Sequence, residues 1–307
     1  MKKAEYRFYE MSQELPVLAL TGERWEIVYG TDAMHFHNYL EIGYCHYGEG
    51  TIVFGDAEIP YEAGTITFIP KDMPHRTKPT EEYIGKNQKW EYLFIDTDRI
   101  IGNVFSDRQE KISEIQLKLG YSRFVLRKEE AEDIAGFIQM LIAEINEKKP
   151  YYSYAVSALS ANILLFFARQ VKLENTESSL TDYQHFKYVR IVNNYIEKHY
   201  MEDIESDNLA VICGLSETYM RKIYLEYMHE TPMSYLRLIR VNKSCELLIT
   251  TGESIEEIGK MVGYPALTTF MRNFKKITGT SPHQWRKEVR KHPENIRNYK
   301  ISVLKGW

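Results

Sequence analysis

Hydrophobic positions along this chain repeat with two different periods, and the change of period divides it. From about Trp25 to Asp96, short runs rich in β-branched and aromatic residues (Leu40 to Tyr44, Thr51 to Phe54, Thr65 to Ile69 and Glu91 to Ile95) are separated by turn residues, which predicts a compact all-β unit. Between Glu129 and Lys148 the spacing becomes threes and fours, placing Ala131, Ile134, Ile138, Leu141 and Ile145 on one helical face. After Pro150 a second helix carries Ala155, Leu159, Ile163 and Phe166 or Phe167 in the same way. The polar stretch from Leu173 to Asp182 follows neither period and reads as a linker. Everything beyond it reads as helix.

That helical part contains one pattern twice. The first copy runs from Ser206 to Tyr224 and the second from Ser254 to Phe274, each a short helix, a glycine turn and a second helix. Leu209 aligns with Ile258 and Gly214 with Gly263; after one extra residue in the second turn, Met220 aligns with Phe270, Tyr224 with Phe274 and Pro232 with Pro282. Gly214 and Gly263 stand where a helix stops in a left-handed conformation. This is the sequence form of a helix-turn-helix. A continuous helical stretch, Ser234 to Ile249, joins the copies and can hold both second helices along one face of a duplex.

In the second helix of the first copy, Met220, Ile223, Tyr224 and Tyr227 form the apolar stripe, which leaves Thr218, Arg221 and Lys222 outside. In the second copy Leu267, Phe270, Phe274 and Ile277 are expected inside and Thr268, Arg272 and Lys275 outside. Arg can bind guanine bidentately and Thr can offer hydroxyl or methyl in the major groove, while Lys276, Arg286 and Lys287 suit phosphates. The other reading of one copy alone is a helical hairpin with solvated charges. Two matched copies favour DNA.

Charge distribution agrees. The chain totals 39 Lys and Arg against 43 Asp and Glu, but from Lys187 onward the balance is 19 against 14, leaving 20 against 29 before it. A basic C-terminal part beside an acidic N-terminal part fits a DNA-binding module joined to something that avoids DNA. No apolar run reaches membrane-spanning length and the N-terminus lacks a secretory pattern, so a cytoplasmic protein is expected. Cys45, Cys213 and Cys245 show no paired spacing and read as small buried hydrophobes.

The region from about Val189 to Arg290 resembles the AraC/XylS family DNA-binding domain, most specifically in Gly263-Tyr264, Phe270 to Lys276, Gly279 to Pro282 and Trp285-Arg286. Two positions depart from the family pattern. Gly259 stands where the family usually has Ala, and Pro265-Ala266 replaces the polar residues that open the second recognition helix, with Pro265 expected at its first position.

The β-rich part adds candidate ligand chemistry. His35 and His37 share one strand face by parity and Glu41 joins them, with His75 further on. With Asp72 and Pro79 replacing a usual Gly and Asn, this set resembles both signature motifs of the cupin superfamily, over roughly Trp25 to Asp96. The resemblance implies either a metal held by His35, His37, Glu41 and His75, or an organic effector, commonly a sugar, contacted by these four with Trp25, Tyr44 and Trp90; Phe36 and Tyr39 are further candidate walls. The same residues can also be ordinary barrel core. The stretch before Trp25 is similar in position to the mobile arm of some family members.

The fold class expected is therefore mixed: an N-terminal all-β cupin jelly-roll barrel followed by two amphipathic helices, then an all-α domain with two helix-turn-helix motifs. Boundaries fall at 1–172 for the effector domain, with a dimerisation segment at about 129–170, 173–184 for the linker, 185–292 for the DNA-binding domain and 293–307 for the tail. The dimer contact is expected on the Ile134, Ile138, Leu141 and Ile145 stripe or the Leu159 and Ile163 stripe. The resemblance implies a non-enzymatic regulator without a cofactor, whose partners are promoter DNA, a small effector, a second copy of the chain and RNA polymerase. The competing class is a metal-dependent cupin oxygenase or isomerase with an accessory DNA-binding domain; an effector-free architectural DNA binder is a third.

Overall fold

The computed structural model of the protein describes residues 5–7, 9, 11–12, 14–21, 27–28, 34–83, 87–106, 108–130, 132–171 and 180–291. They fall into two compact units: Tyr9–Glu177, and Ser178–Trp307 together with Met1–Phe8, which carries the short strand β1 (Glu5–Arg7). Trp25, Ala131, residues 173–179 of the expected linker and the tail at 293–307 lie outside the described residues.

The unit Tyr9–Glu177 is built on two antiparallel sheets. Its strands are β2 (Val17–Leu20), β3 (Ile27–Val28), β4 (His35–His37), β5 (Leu40–Tyr47), β6 (Gly50–Phe54), β7 (Ala57–Tyr61), β8 (Ile66–Ile69), β9 (Arg76–Pro79), β10 (Asn87–Ile95) and β11 (Phe124–Leu126). The larger sheet has the order β11-β8-β5-β10-β2, with β3 also on β10, and the smaller has the order β7-β6-β9. Period-2 alternation divides the larger sheet cleanly. Leu40 and Ile42 of β5, Ile66 and Phe68 of β8, and Leu93 and Ile95 of β10 face a helical layer, and Glu41, Gly43 and Cys45 face the other way. On that inner side Tyr61 of the smaller sheet meets Trp90 edge-on at 5.0 Å.

The helical layer is larger than the sequence reading allowed. Besides α3 (Glu132–Glu147) and α4 (Tyr152–Gln170), it contains α1 (Thr97–Val104) and α2 (Gln109–Tyr121), which the reading passed over. Asp96 starts α1 by accepting a hydrogen bond from the Arg99 amide at 3.0 Å. The expected dimer stripes are spent here. Ile134, Ile138, Leu141 and Ile163 are buried in one core with β5, β8 and β10, while Ile145 and Leu159 pack at its edge. Covering a broad sheet face consumes both apolar faces, so neither stripe is available to a second chain. What α3 leaves exposed is Phe137 and Met140, one turn apart.

The C-terminal unit is all helical: α5 (Leu180–His199), α6 (Ser206–Cys213), α7 (Glu217–Met228), α8 (Pro232–Thr250), α9 (Ile255–Met261), α10 (Leu267–Thr278) and α11 (Pro282–Lys291). Both copies of the repeat fold as helix, turn, helix. Gly263 has φ 87°, and a Cβ there would lie 2.7 Å from the Tyr200 carbonyl oxygen, so conformation and space both require glycine. At Gly259 a Cβ would come within 3.1 Å of the Phe270 ring, which is why glycine at this position lets that ring seat closely on α9. Ser216, Thr231 and Ser254 cap α7, α8 and α9 through their side-chain oxygens. Pro232 and Pro282 open α8 and α11 as the repeat requires.

Candidate functional site

The outward face of the helix-turn-helix pair is the first site. Met220, Ile223 and Tyr224 anchor α7 inward, with the Tyr224 hydroxyl donating to Asn193 Oδ1 at 2.6 Å; Phe270 and Phe274 anchor α10. Thr218, Arg221 and Lys222 on α7, and Thr268, Arg272, Lys275 and Lys276 on α10, are all exposed as expected. Arg221 pairs with Glu217 at 3.5 Å and Lys222 with Glu226 at 3.8 Å. Exposed pairs of this kind are worth about 0.3–0.5 kcal/mol, less than the roughly 1–3 kcal/mol of a good base contact, so they do not tie these cations down. Among the described residues, no ion pair involves Arg272, Lys275 or Lys276.

Three expectations on this face are corrected. Arg286 does not stand free for phosphate: its Nη2 donates to the Glu253 carbonyl at 2.7 Å and its Nε to the Leu248 carbonyl at 3.3 Å, so its donors hold the domain together. Leu267, expected inside, is 41% exposed, because it opens α10 and sits at the rim of the stripe. Pro265 lies ahead of the helix rather than at its first position; Ala266 is the N-cap residue and offers no side-chain oxygen. Sequence reasoning missed Tyr219, which is exposed on the first turn of α7. Its signal was available, since it directly precedes the inward Met220.

The second site is a buried cluster at one end of the inner face of the larger sheet. His35, His37, Glu41 and His75 each offer a ligand atom, and these atoms all lie within 4.8 Å of one another. Local structure brings them together. His35 and His75 exchange backbone hydrogen bonds at 2.9 and 2.8 Å, and Glu41 lies opposite both Phe94 of β10 and Ile69 of β8. The turn before His75 passes through Asp72, whose φ of 65° explains why this position usually takes glycine, and whose amide donates to the His37 carbonyl at 3.0 Å.

Hydrogen bonds fix the rings. Nδ1 of His37 lies 2.7 Å from the Tyr39 carbonyl oxygen, and Nδ1 of His75 lies 2.9 Å from that of Met73. Carbonyl oxygens only accept, so both Nδ1 atoms carry hydrogen, and both Nε2 atoms turn toward Glu41 at 3.1 and 3.7 Å. With hydrogen on Nδ1, the buried Nε2 of His37 can donate to the Glu41 carboxylate 3.1 Å away only when the ring is protonated. Burial lowers the pKa of His37, outweighing the opposing hydrogen bond and charge of Glu41. Burial alone would raise Glu41, but hydrogen bonding and charge from His37 and His75 hold its carboxyl well below the usual carboxylate range. An ionised carboxylate, a neutral imidazole and ring nitrogens oriented by backbone carbonyls fit the donor set of a metal ion. Cysteine contributes nothing: burial pushes the Cys45 thiol up to about 12 and Cys213 to about 11.

The expected aromatic walls divide. Phe36 is fully buried on β4 between the two histidines. Trp90 shares the inner side, opposite Cys45 in register and against Gly43, where a Cβ would fall 3.1 Å from its ring; its buried Nε1 has no partner among the described residues. Tyr44 is on the opposite side of β5 from Glu41, packed at the edge of the helical core with its hydroxyl accepting from Gln139 at 3.3 Å, and it is not part of the cluster. The walls nearest the histidines are Phe94 and Tyr9. Phe94 lies edge-on to His37 at 5.2 Å, and Tyr9 stacks on Phe94 at 3.7 Å. Tyr9 belongs to the stretch compared with a mobile arm, yet its amide donates to Asn38 Oδ1 at 2.8 Å and its carbonyl accepts from Asn38 Nδ2 at 2.9 Å.

Comparison with known proteins follows the same division. Residues 18–163 match the AraC-like ligand binding domain, and residues 209–288 match a helix-turn-helix domain. Over 96 residues the chain is 30% identical to the MmsAB operon regulatory protein of Pseudomonas aeruginosa, covering 31% of each. It is 32% identical over 112 residues to the xylose operon regulatory protein of Escherichia coli K12, covering 36% of this chain and 29% of that one. The chain thus spans under a third of the length of these two relatives. Over 253 residues it is 24% identical to the lactose operon transcription activator of Staphylococcus xylosus, covering 78% of this chain and 80% of that one. No helix among the described residues is long and apolar enough to cross a membrane. The chain thus carries an AraC-like ligand-binding domain in its β unit and an AraC-type helix-turn-helix domain in its C-terminal unit.

Proposed function

We propose that this protein is a sequence-specific transcription regulator of the cytoplasm that reads promoter half-sites with α7 and α10 and responds to a small effector bound by its β unit. The observation that carries this reading is the pair of recognition helices, each presenting threonine and cations outward while its aromatic and aliphatic residues are buried. Thr218, Arg221 and Lys222, and Thr268, Arg272 and Lys275, are the base-reading set, with Lys276 and Lys287 on phosphates. The exposed Tyr219 and Leu267 extend that set with apolar surface suited to thymine methyl groups.

The effector is a carbohydrate, in keeping with relatives named for xylose and lactose operons. Its seat is the inner side of the larger sheet, where Trp90 supplies an aromatic surface and a buried N–H for a hydroxyl, and the cluster of His35, His37, Glu41 and His75 forms the polar end. The regulator works as a homodimer through the side of α3 that bears Phe137 and Met140.

The test is fluorescence anisotropy of the full chain with DNA from upstream of its own gene and the neighbouring operon, with and without a panel of mono- and disaccharides. Salt-dependent binding to one of these fragments, tighter than to shuffled DNA and altered by one sugar, is the expected result. Equal affinity for every fragment contradicts sequence-specific regulation, and binding that no sugar alters contradicts the effector class.

A further inference from the structure

The turns of the two repeat copies differ in a way that their individual folds do not require. Gly214 and Gly263 are equivalent in the repeat, and both have positive φ, 66° and 87°. A Cβ at Gly214 would meet nothing within 4 Å. A Cβ at Gly263 would lie 2.7 Å from the carbonyl oxygen of Tyr200, 2.9 Å from that of Met201 and 3.0 Å from the guanidinium carbon of Arg240. Conformation alone accounts for the first glycine. The second is needed for space as well, because its turn is pressed against the segment leading from α5 into α6, which belongs to the other motif.

Other contacts at this junction run the same way. Arg240, near the middle of α8, donates from Nε to the Tyr200 carbonyl and from Nη2 to the Glu202 carbonyl, each at 2.7 Å. Its guanidinium also lies 5.3 Å from the centre of the Tyr264 ring. Besides holding the entrance of the first motif, this side chain therefore covers the turn of the second. Tyr200 packs at the edge of the second motif's core. Tyr264 is buried, and its ring stands 5.5 Å from that of Phe270, the anchor of α10 two residues ahead of Arg272. A planar fork that serves two carbonyls while lying on a ring has its orientation set by all three. The joining helix α8 runs 19 residues, and long helices curve, so these cross-contacts set the phase of the motifs more tightly than the helix alone.

We infer that Arg240, Gly263 and Tyr264 form a lock between the two helix-turn-helix motifs, fixing the distance and phase of α7 and α10 so that the spacing of the two DNA boxes becomes part of what the protein reads. The inference rests on the assignment of α7 and α10 to DNA. Arg240 is a positioning residue in this scheme, acting through the placement of the recognition helices. One base pair inserted between the boxes moves them about 3.4 Å apart along the duplex and turns one against the other by about 35°. A locked pair of helices cannot follow that change, whereas a hinged pair can.

The experiment uses the full chain and a duplex that it selects from a randomised pool, carrying one pair of boxes, with versions in which one or two base pairs are inserted or deleted between them. Wild-type protein should lose at least about tenfold in affinity on each respaced duplex, the loss expected when one recognition helix gives up a good base contact. Arg240→Ala and Tyr264→Leu should each flatten the profile to within about threefold, less than one good base contact, while a duplex with a single box is bound as by the wild type. Tyr264→Phe keeps the ring and should keep the strict profile. Gly263→Ala should flatten the profile and Gly214→Ala should not, although both pay for positive φ, so lost stability is not mistaken for altered spacing. Binding is measured below the unfolding transition with circular dichroism recorded, and Arg240→Lys, which serves one carbonyl only, replaces an Arg240→Ala protein that does not fold. Wild-type binding that tolerates every spacing overturns the lock and leaves base reading in place. So does a strict profile kept by the folded Arg240 and Gly263 variants. A selected pool without recurring boxes removes the base-reading assignment, and the lock with it.

Discussion

Arg286 donates from Nη2 to the carbonyl oxygen of Glu253 at 2.7 Å, and its Nε reaches the carbonyl of Leu248 at 3.3 Å, so one guanidinium ties α11 to the end of α8 and to the segment entering α9. Arg240 does the same for the other half of the domain, donating to the carbonyls of Tyr200 and Glu202, each at 2.7 Å. These carbonyls end helices or lie in loops, where no helical N–H reaches them. Each arginine thus braces one helix-turn-helix from behind.

Replacing Arg286 by Ala should therefore lower stability by about 1.5–3 kcal/mol, the range for hydrogen bonds to charged groups. Lys at this position should recover only part of the loss, because an ammonium cannot span two carbonyls as a planar fork does. Measured well below the unfolding transition, DNA binding by Arg286→Ala should keep its salt slope, whereas Lys287→Ala should reduce that slope by about 1. An Arg286→Ala protein with unchanged thermal midpoint and a reduced slope would return this residue to the phosphate contacts.

The two sides of α3 predict opposite outcomes for charge. Leu141 is fully buried and Met140 is 57% exposed. Leu141→Glu places a carboxylate in the core beneath the sheet and should unfold the β unit, by several kcal/mol. Met140→Glu should leave the circular dichroism spectrum intact and shift sedimentation from dimer to monomer. A Met140→Glu protein that remains a dimer removes this side of α3 as the interface.

The bare start of α10 is a place to gain stability. Ala266 offers the first amides no acceptor, whereas Ser216 in the equivalent place accepts from the Tyr219 amide at 3.4 Å. Ala266→Ser should stabilise the C-terminal unit by about 1 kcal/mol in chemical denaturation, and Ser216→Ala should cost a similar amount. No gain from Ala266→Ser would mean that these amides are satisfied in another way.

Much of this was legible in the sequence, for identifiable reasons. The helical period and the paired glycines placed both recognition helices, since burial of Met220 and Phe270 forces Lys222 and Arg272 outward. Strand parity placed Glu41 with His35 and His37. The same parity sets Tyr44 on the other side of β5, so counting Tyr44 among the cluster's walls contradicted the rule that found the cluster. Ile112, Ile115 and Leu119 of α2 keep helical spacing and were passed over. Other features depend on distant partners that no local pattern reveals. The carbonyls that capture Arg286 lie 33 and 38 residues away in sequence, and the sheet face that buries Ile138 and Leu141 comes from β5, β8 and β10.

Reading of base sequence by α7 and α10 is tested most directly by the ratio of affinities for operator and random DNA of one length at one salt concentration. Arg272→Ala should lower the affinity for operator by about 1–3 kcal/mol and leave binding to random DNA nearly unchanged, so the ratio collapses. Lys222→Ala should reduce the ratio in the same direction. An Arg272→Ala protein that is folded and keeps the wild-type ratio would contradict the assignment of this face to DNA.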